Sequence, residues 1–183
     1  MGSVLVPLAD GCEELEAVTI IDILRRGGIE VVTVGLKPGP VTASRGVVLL
    51  PDTTLDQIDS NTLDMVVLPG GLGGADRLDN DPRIAQILRE IVSRGKYAAA
   101  ICAAPRVLAN LGLLKGKRVT GYPGVMKASH LEGTDYTGEA VELDGKLVTS
   151  RGPGTALDFA LTLVELLTSR EKRIEVEAAL KRP

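Results

Sequence analysis

Apolar positions along this chain fall into two alternating rhythms. Short unbroken apolar runs, Ser3 to Leu8, Ile29 to Val34, Met65 to Leu68 and Lys96 to Ile101, read as buried strands. Between them the spacing becomes helical. Glu14 to Arg26 carries Leu15, Val18, Ile21 and Leu24, and Gly27-Gly28 stops it. Asp81-Pro82 opens a helix by N-cap and first-turn chemistry, predicted to run to about Arg94 with Gly95 beyond it. Pro105 suits the first turn of a helix through Leu111. Gly154 to Leu167 is predicted as an apolar helix and Glu171 to Arg182 as a polar one. Arg118-Val119-Thr120 is a short strand. Two hairpins interrupt the alternation. One places Ser44-Arg45-Gly46 between Val41-Thr42-Ala43 and Val47 to Leu50; the other pairs Ala140 to Leu143 with Lys146 to Thr149 across Asp144-Gly145.

Repeated strand–helix alternation predicts an α/β fold, a doubly wound parallel sheet with helices on both faces. With 183 residues and no repeat, linker or low-complexity tract, residues 1–183 are expected to form a single domain. Sites in such folds form outside the carboxyl ends of the strands. The loop after the first strand, the Pro69-Gly70-Gly71 loop and Cys102 all fall on that edge.

Cys102 stands where the strand ending at Ile101 gives way to the helix opened by Pro105. Ala100 and Ala104 lie two positions before and after it, the layout of a nucleophile elbow, where crowding admits only small neighbours. Such a thiol faces helical N–H groups, which favour thiolate, so Cys102 reads as reactive rather than as a structural core cysteine.

Composition narrows the partners. A net charge of −3 argues against a nucleic-acid surface, and with 2% aromatics stacking platforms are scarce. No apolar run is long enough to span a membrane, and Met1-Gly2-Ser3 lacks the cationic start of a secretory signal, so a cytoplasmic protein is expected. Cys12 and Cys102 are the two cysteines and His130 the single histidine; they cannot build a Cys-rich zinc site, and no metal or cofactor is expected.

Three further features carry candidate chemistry. Glu13, Glu14 and Glu16 open a helix, where acidic residues suit the dipole. Glu16 lies on another face from the first two; it is either a helix-start acid or a carboxyl beside Cys102, pushed toward its protonated form by like charge and able to donate to sulfur. Gly70-Gly71-Leu72-Gly73-Gly74 lacks the spacing of a dinucleotide fingerprint and the lysine of a P-loop. It reads as a flexible turn or as a nest of backbone N–H groups, with Gly70 and Gly71 facing an oxyanion beside the elbow. His130 could serve a Cys–His pair only if Ala128 to Glu132 packed over the elbow; its polar neighbours point instead to the surface.

Together these landmarks resemble the DJ-one/ThiJ/PfpI superfamily, most closely its DJ-one and YajL-like branch. Gly11-Cys12-Glu13-Glu14-Leu15-Glu16 is similar to that branch's G-x-E-E-x-E segment, Leu68-Pro69-Gly70-Gly71 to its L-P-G-G loop, Ala99 to Pro105 to its A-A-I-C-A-x-P elbow, and Thr149 to Thr155 to its T-S-R-G-P-G-T segment. The resemblance covers nearly the whole chain. It implies a flavodoxin-like fold and a homodimer, with Cys102 as a low-pKa, oxidisable nucleophile and Glu16 as its protonated partner. It further implies Gly71 and Ala103 as backbone donors. Arg45, near the dimer partner, and the Gly152-Pro153 turn match positions that approach the site. Where several members carry a histidine before a proline, this chain has Tyr122-Pro123, so histidine-assisted proton transfer is not carried over, and His130 does not match that position.

The implied function is a cysteine-dependent glyoxalase or deglycase-type enzyme acting on methylglyoxal-like α-oxoaldehydes or their early protein adducts, protective against carbonyl and oxidative stress. The alternative is a redox sensor or redox-regulated chaperone working through Cys102 oxidation. A cysteine peptidase is disfavoured, because peptide hydrolysis normally uses an orienting His–acid pair.

Overall fold

A computed structural model describes residues 2–182; Met1 and Pro183, the ends of the expected domain, lie outside the described residues. In chain order the elements are β1 (Ser3–Leu8), α1 (Glu14–Arg26), β2 (Glu30–Gly35), β3 (Val41–Thr42), β4 (Val48–Leu49), β5 (Thr53–Thr54), β6 (Met65–Leu68), α2 (Leu72–Asp79), α3 (Pro82–Ser93), β7 (Tyr97–Ile101), α4 (Pro105–Asn110), β8 (Arg118–Val119), α5 (Ala128–Leu131), β9 (Asp135–Tyr136), β10 (Val141–Asp144), β11 (Leu147–Ser150), α6 (Ala156–Leu167) and α7 (Arg170–Ala179).

Seven strands form the main sheet in the order β10-β11-β7-β6-β1-β2-β5. Every pairing is parallel except the β10–β11 hairpin. Counting only the strands of the βα alternation gives the flavodoxin-like order 2-1-3-4-5, whose direction reverses between β1 and β6. That reversal opens a crevice at the strands' carboxyl ends. Glu16 follows β1, Gly70 follows β6 and Cys102 follows β7, so all three chain segments converge there.

Helices cover both faces. Ile20, Ile23 and Leu24 of α1 pack with Phe159, Leu163 and Val164 of α6 in one core. Ile84, Leu88 and Ile91 of α3 pack with Leu78 of α2 and Leu108 of α4 in the other. The central strand β7 is buried from Ala98 to Ile101, and its alanines let helices approach from both sides. Hairpin β3–β4 stands apart as a separate two-stranded sheet, with Ser44-Arg45-Gly46 at its turn.

Several expectations needed correction. The glycine-rich segment after β6 is not simply a turn: α2 begins at Leu72 and holds Gly73 and Gly74 in its first turn. Glycine is about 1 kcal/mol worse than alanine inside a helix, which is why the residues do not announce one. The cause is a close approach, since a Cβ on Gly74 would lie 2.7 Å from Cys12 Cα. The second hairpin is shifted by one residue: Asp144 pairs with Leu147, which leaves Gly145 (φ +65°) and Lys146 as the loop. On α1 only the later part of the predicted stripe lies on the buried face: Leu24 is buried and Ile21 partly so. Leu15 and Val18 are about half exposed, while Glu16, Ala17, Ile20, Ile23 and Leu24 are buried. Strands β5 and β9, each of two residues, carried no readable pattern.

Candidate active site

The strand β7 ends at Ile101 and the chain turns at once, with Ala104 N–H donating to Ile101 O at 3.0 Å. Cys102 occupies the left-handed region with φ +66°, one of two non-glycine residues that do so among those described. Such a residue stores roughly 1–3 kcal/mol of strain and persists only where its surroundings hold it. Here Cys102 N–H donates to Ser150 O at 2.9 Å, and Cys102 O accepts from Tyr122 N–H at 2.9 Å. Both ends of the elbow are therefore pinned. Pro105 opens a helix shorter than expected, ending at Asn110. Ala103 and Ala104 are fully packed, so the elbow's neighbours are small by necessity.

Glu16 is the other half of the site. It is completely buried, unlike its helix-start neighbours Glu13 and Glu14. The Glu13 carboxylate caps the helix by accepting from Glu16 N–H at 2.8 Å. Its Oε2 accepts from Gly70 N–H at 2.8 Å. Its Oε1 is buried without a hydrogen-bond partner, and the Cys102 thiol lies close enough to influence the carboxyl.

This arrangement corrects two expectations. Gly70 is not a free oxyanion donor, because its N–H is already held by Glu16. The backbone N–H groups of Gly71 and Ala103 both act to lower the Cys102 pKa. Nor is Cys102 a low-pKa thiol by itself. Burial, then the Glu16 charge, pushes it up to about 12. Glu16 is itself raised to about 7, chiefly by burial and only secondarily by like charge from Glu13. The two values belong to the pair. Near pH 7 the pair loses one proton, and one remains for the carboxyl and the sulfur to compete for. When Glu16 holds it, Cys102 is a thiolate facing two backbone donors.

Gly70 is fixed by crowding. A Cβ there would lie 2.5 Å from Glu16 Oε2 and 2.6 Å from Cys102 Cβ. Gly71 takes φ +86°, and a Cβ on it would collide with Gly11 O. We expect Gly70→Ala to lower stability by about 1–3 kcal/mol, the usual cost of overpacking. Urea unfolding checks this, and an unchanged midpoint would show that the Glu16–Cys102 contact is looser than described.

A cleft of about 380 Å³ opens over the sulfur, lined by Glu13, Ser44, Arg45, Gly71, Ala103, Tyr122, Val125 and Pro153 among others. Arg45 is brought there because the Ser44 hydroxyl and the Arg45 N–H both bond the Glu14 carboxylate, at 2.8 and 2.7 Å. The Tyr122 ring packs against Gly152, so Tyr122 and the Gly152-Pro153 turn form one wall. Sequence reasoning placed Glu13 as a helix-start acid; it also lines this cleft. His130 does not line it. It sits on α5, where its Nδ1 accepts from Lys127 N–H at 3.1 Å, and burial lowers its pKa. Cys12 is buried beside Gly74, and burial pushes its thiol up to about 11.

The DJ-1/PfpI family model matches residues 2–166. The chain belongs to the DJ-1/PfpI family. Its relatives include Drosophila melanogaster DJ-1beta, 47% identical over 180 residues and covering 97% of this chain and 96% of that protein. The crystal structure of DJ-1beta matches with a TM-score of 0.93, covering 98% of this chain and 97% of that one. Toxoplasma gondii DJ-1, solved in an oxidized form, is 38% identical with a TM-score of 0.93 and covers 98% of each chain. A Caenorhabditis elegans protein named glutathione-independent glyoxalase DJR-1.2 is 36% identical over 169 residues, covering 92% of this chain and 89% of that protein. The solved DJ-1 structures thus share this chain's fold over nearly its whole length. No helix of the described residues is long and apolar enough to cross a membrane.

Proposed function

We propose that this protein is a cysteine-dependent glyoxalase that converts methylglyoxal-like α-oxoaldehydes to 2-hydroxy acids without an added thiol. The observation that carries the reading is the buried Glu16 carboxyl facing a strained, cleft-exposed Cys102 sulfur. The glyoxalase named among its relatives supports it.

The steps follow from the groups present. With the shared proton on Glu16, the Cys102 thiolate adds to the aldehyde carbon and a C–S bond forms. The developing alkoxide takes the proton held by Glu16, which leaves that carboxyl ionised, and the Gly71 and Ala103 N–H groups steady negative charge beside the sulfur. The ionised carboxyl of Glu16 then removes the proton from the former aldehyde carbon and returns one to the neighbouring carbon. The first carbon is thereby oxidised and the second reduced, with no outside electron acceptor. The resulting 2-hydroxyacyl thioester is hydrolysed by water, which releases the acid and restores the thiol. The reaction consumes one aldehyde and one water and yields one hydroxy acid. Purified protein supplied with methylglyoxal in the absence of glutathione is expected to produce lactate. Loss of methylglyoxal with no lactate, only adduct mass on the protein, would show scavenging rather than turnover. Early protein adducts of the same aldehydes are a second substrate under this reading, since they revert to the protein thiol or amine and the free aldehyde, to which the Cys102 thiolate then adds.

A second reading has its own support. Two backbone N–H groups face the sulfur and a carboxyl stands beside it, which suits an oxidised, anionic sulfur, and a relative was solved in an oxidized form. Under it Cys102 oxidation is a redox signal. Peroxide titration followed by intact mass tests this: two added oxygens located on Cys102 are expected, and a mixture spread over the methionines would count against it.

We further propose a homodimer. Leu15 and Val18 on α1 and Val47, Val48 and Leu50 on the adjacent hairpin leave an apolar patch beside the Arg45 side of the cleft. Exposed apolar surface of this kind marks an association face.

A further inference from the structure

The segment Thr149 to Thr155 stands out in the sequence, yet none of its hydroxyls enters the chemistry proposed above. Three of them are buried: Thr149, Ser150 and Thr155. Successive side chains of a strand point to opposite sides, so Thr149 and Ser150 of β11 brace two different segments. Thr149 Oγ1 accepts from Thr120 N–H at 2.9 Å, and the Thr120 hydroxyl donates to Glu139 O at 2.7 Å. Thr120 lies two residues before Tyr122, so this side of β11 holds the Tyr122 wall.

Ser150 serves the other side. Its hydroxyl lies 2.8 Å from Ala140 O and 2.7 Å from Thr155 Oγ1. Thr155 Oγ1 accepts from Gly152 N–H at 3.1 Å and lies 2.9 Å from Gly152 O. The two hydroxyl protons permit one continuous run, from Gly152 N–H to Thr155 to Ser150 to Ala140 O. Bonds in such a run polarise one another, and a buried member deprived of its partner is costly. The run closes the turn that carries Pro153 into the cleft. The backbone carbonyl of the same Ser150 accepts the Cys102 N–H. One residue therefore links the nucleophile's backbone to the opposing wall.

We propose that Ser150 and Thr155 are positioning residues: their hydroxyl pair locks the Gly152-Pro153 wall to the strand that holds Cys102, and so sets the approach to the sulfur. Neither side chain touches the reacting atoms. The inference rests on Cys102 being the nucleophile, but not on which aldehyde it attacks. Positioning errors of about 1 Å can reduce rates by as much as 10²-fold, so an effect of about 10-fold is the expected scale for a loosened wall.

The test uses iodoacetamide, which needs no substrate. Thr155→Val and Ser150→Ala are each expected to change the alkylation rate of Cys102 about 10-fold and to move its pH profile. The double variant should be no worse than the stronger single one, and Thr155→Ser should restore the native rate. Methylglyoxal kcat/KM should follow the same order. If native protein does not turn over methylglyoxal but the alkylation pattern holds, the positioning role stands and the glyoxalase reading alone falls. Folded variants with a lower Tm but native alkylation at every pH would reduce the pair to a stabilising contact and overturn the proposal. Should both variants lose the fold, amide exchange in the native protein decides. Gly152 and Cys102 N–H groups slowing together would support the link, and free exchange at Gly152 would overturn it.

Discussion

Replacing Cys102 with serine is expected to lower kcat/KM for methylglyoxal by about 10³-fold or more and to leave the fold intact. The two side chains are nearly isosteric, and the pinning bonds to Ser150 O and Tyr122 N–H use only the backbone of residue 102. The chemistry does not survive the exchange. A thiol can surrender its proton to a carboxyl whose own pKa is raised to about 7. A hydroxyl cannot, so no anionic nucleophile forms, and the weak nucleophile that remains lacks an adjacent base strong enough to activate it. Circular dichroism and the urea midpoint should match the native protein. The same variant tests the assignment of the reactive thiol. Iodoacetamide should label Cys102, whose side chain lines the cleft, far faster than Cys12, which is almost completely buried and lies outside the cleft lining. Retention of even a tenth of the native turnover by Cys102→Ser would mean that Cys12 or no cysteine carries the reaction.

How far the residues disclosed this site depended on what kind of signal each left. Cys102 was readable because an elbow imposes a local rule: small residues at fixed offsets, an apolar strand before and a proline after. The parallel sheet was readable because strand and helix rhythms alternate over long stretches. Glu16 was only half readable. Its spacing put it on a face different from Glu13 and Glu14, but it is completely buried with its carboxyl bonded to Gly70, far off in the chain. The role of Gly70 ran against the local reading for the same reason. A glycine pair looks like a nest of donors until the carboxyl that already occupies one of them is placed. Helix α2 was missed because its glycines answer to Gly11 and Cys12 across the crevice rather than to helix propensity. The acidity of the thiol is another non-local quantity. A helix start favours thiolate, but burial works against it, and the balance is decided by which partner keeps the shared proton. Spacing left the partnership of Cys102 and Glu16 as one of two readings, and the resemblance to a known family implied it; the burial of both side chains at the same sheet edge supports it.

Glu16→Gln is expected to abolish most turnover and to remove one particular pH dependence from both rate and stability. The amide still donates an N–H to sulfur but cannot accept or return a proton. A positioned acid–base group contributes typically 10²- to 10⁴-fold, so kcat/KM should fall by at least ~10². In native protein kcat/KM should rise as pH passes about 7, where the pair first loses a proton. In the Gln variant that rise should be gone, since the carboxyl that titrates there has been removed. Stability gives the independent check. Glu16 is raised in the folded state from 4.5 to about 7, so the folded protein holds a proton that the unfolded chain has already released. The folded state is thus favoured below pH 4.5, and this advantage is lost as pH rises from 4.5 to 7. The loss amounts to about 3 kcal/mol for a shift of this size. Urea unfolding at pH 4.5 and 7.5 should show native protein losing that increment relative to Glu16→Gln, in which the position carries no charge at either pH. Glu16→Leu, which can neither donate nor exchange a proton, should be as inactive as Gln and should also lose the thiolate absorbance that Gln partly preserves. Identical pH profiles of turnover, and parallel pH dependence of stability, in native and Gln proteins would mean that Glu16 does not share its proton with Cys102, and the mechanism built on that pair would fall.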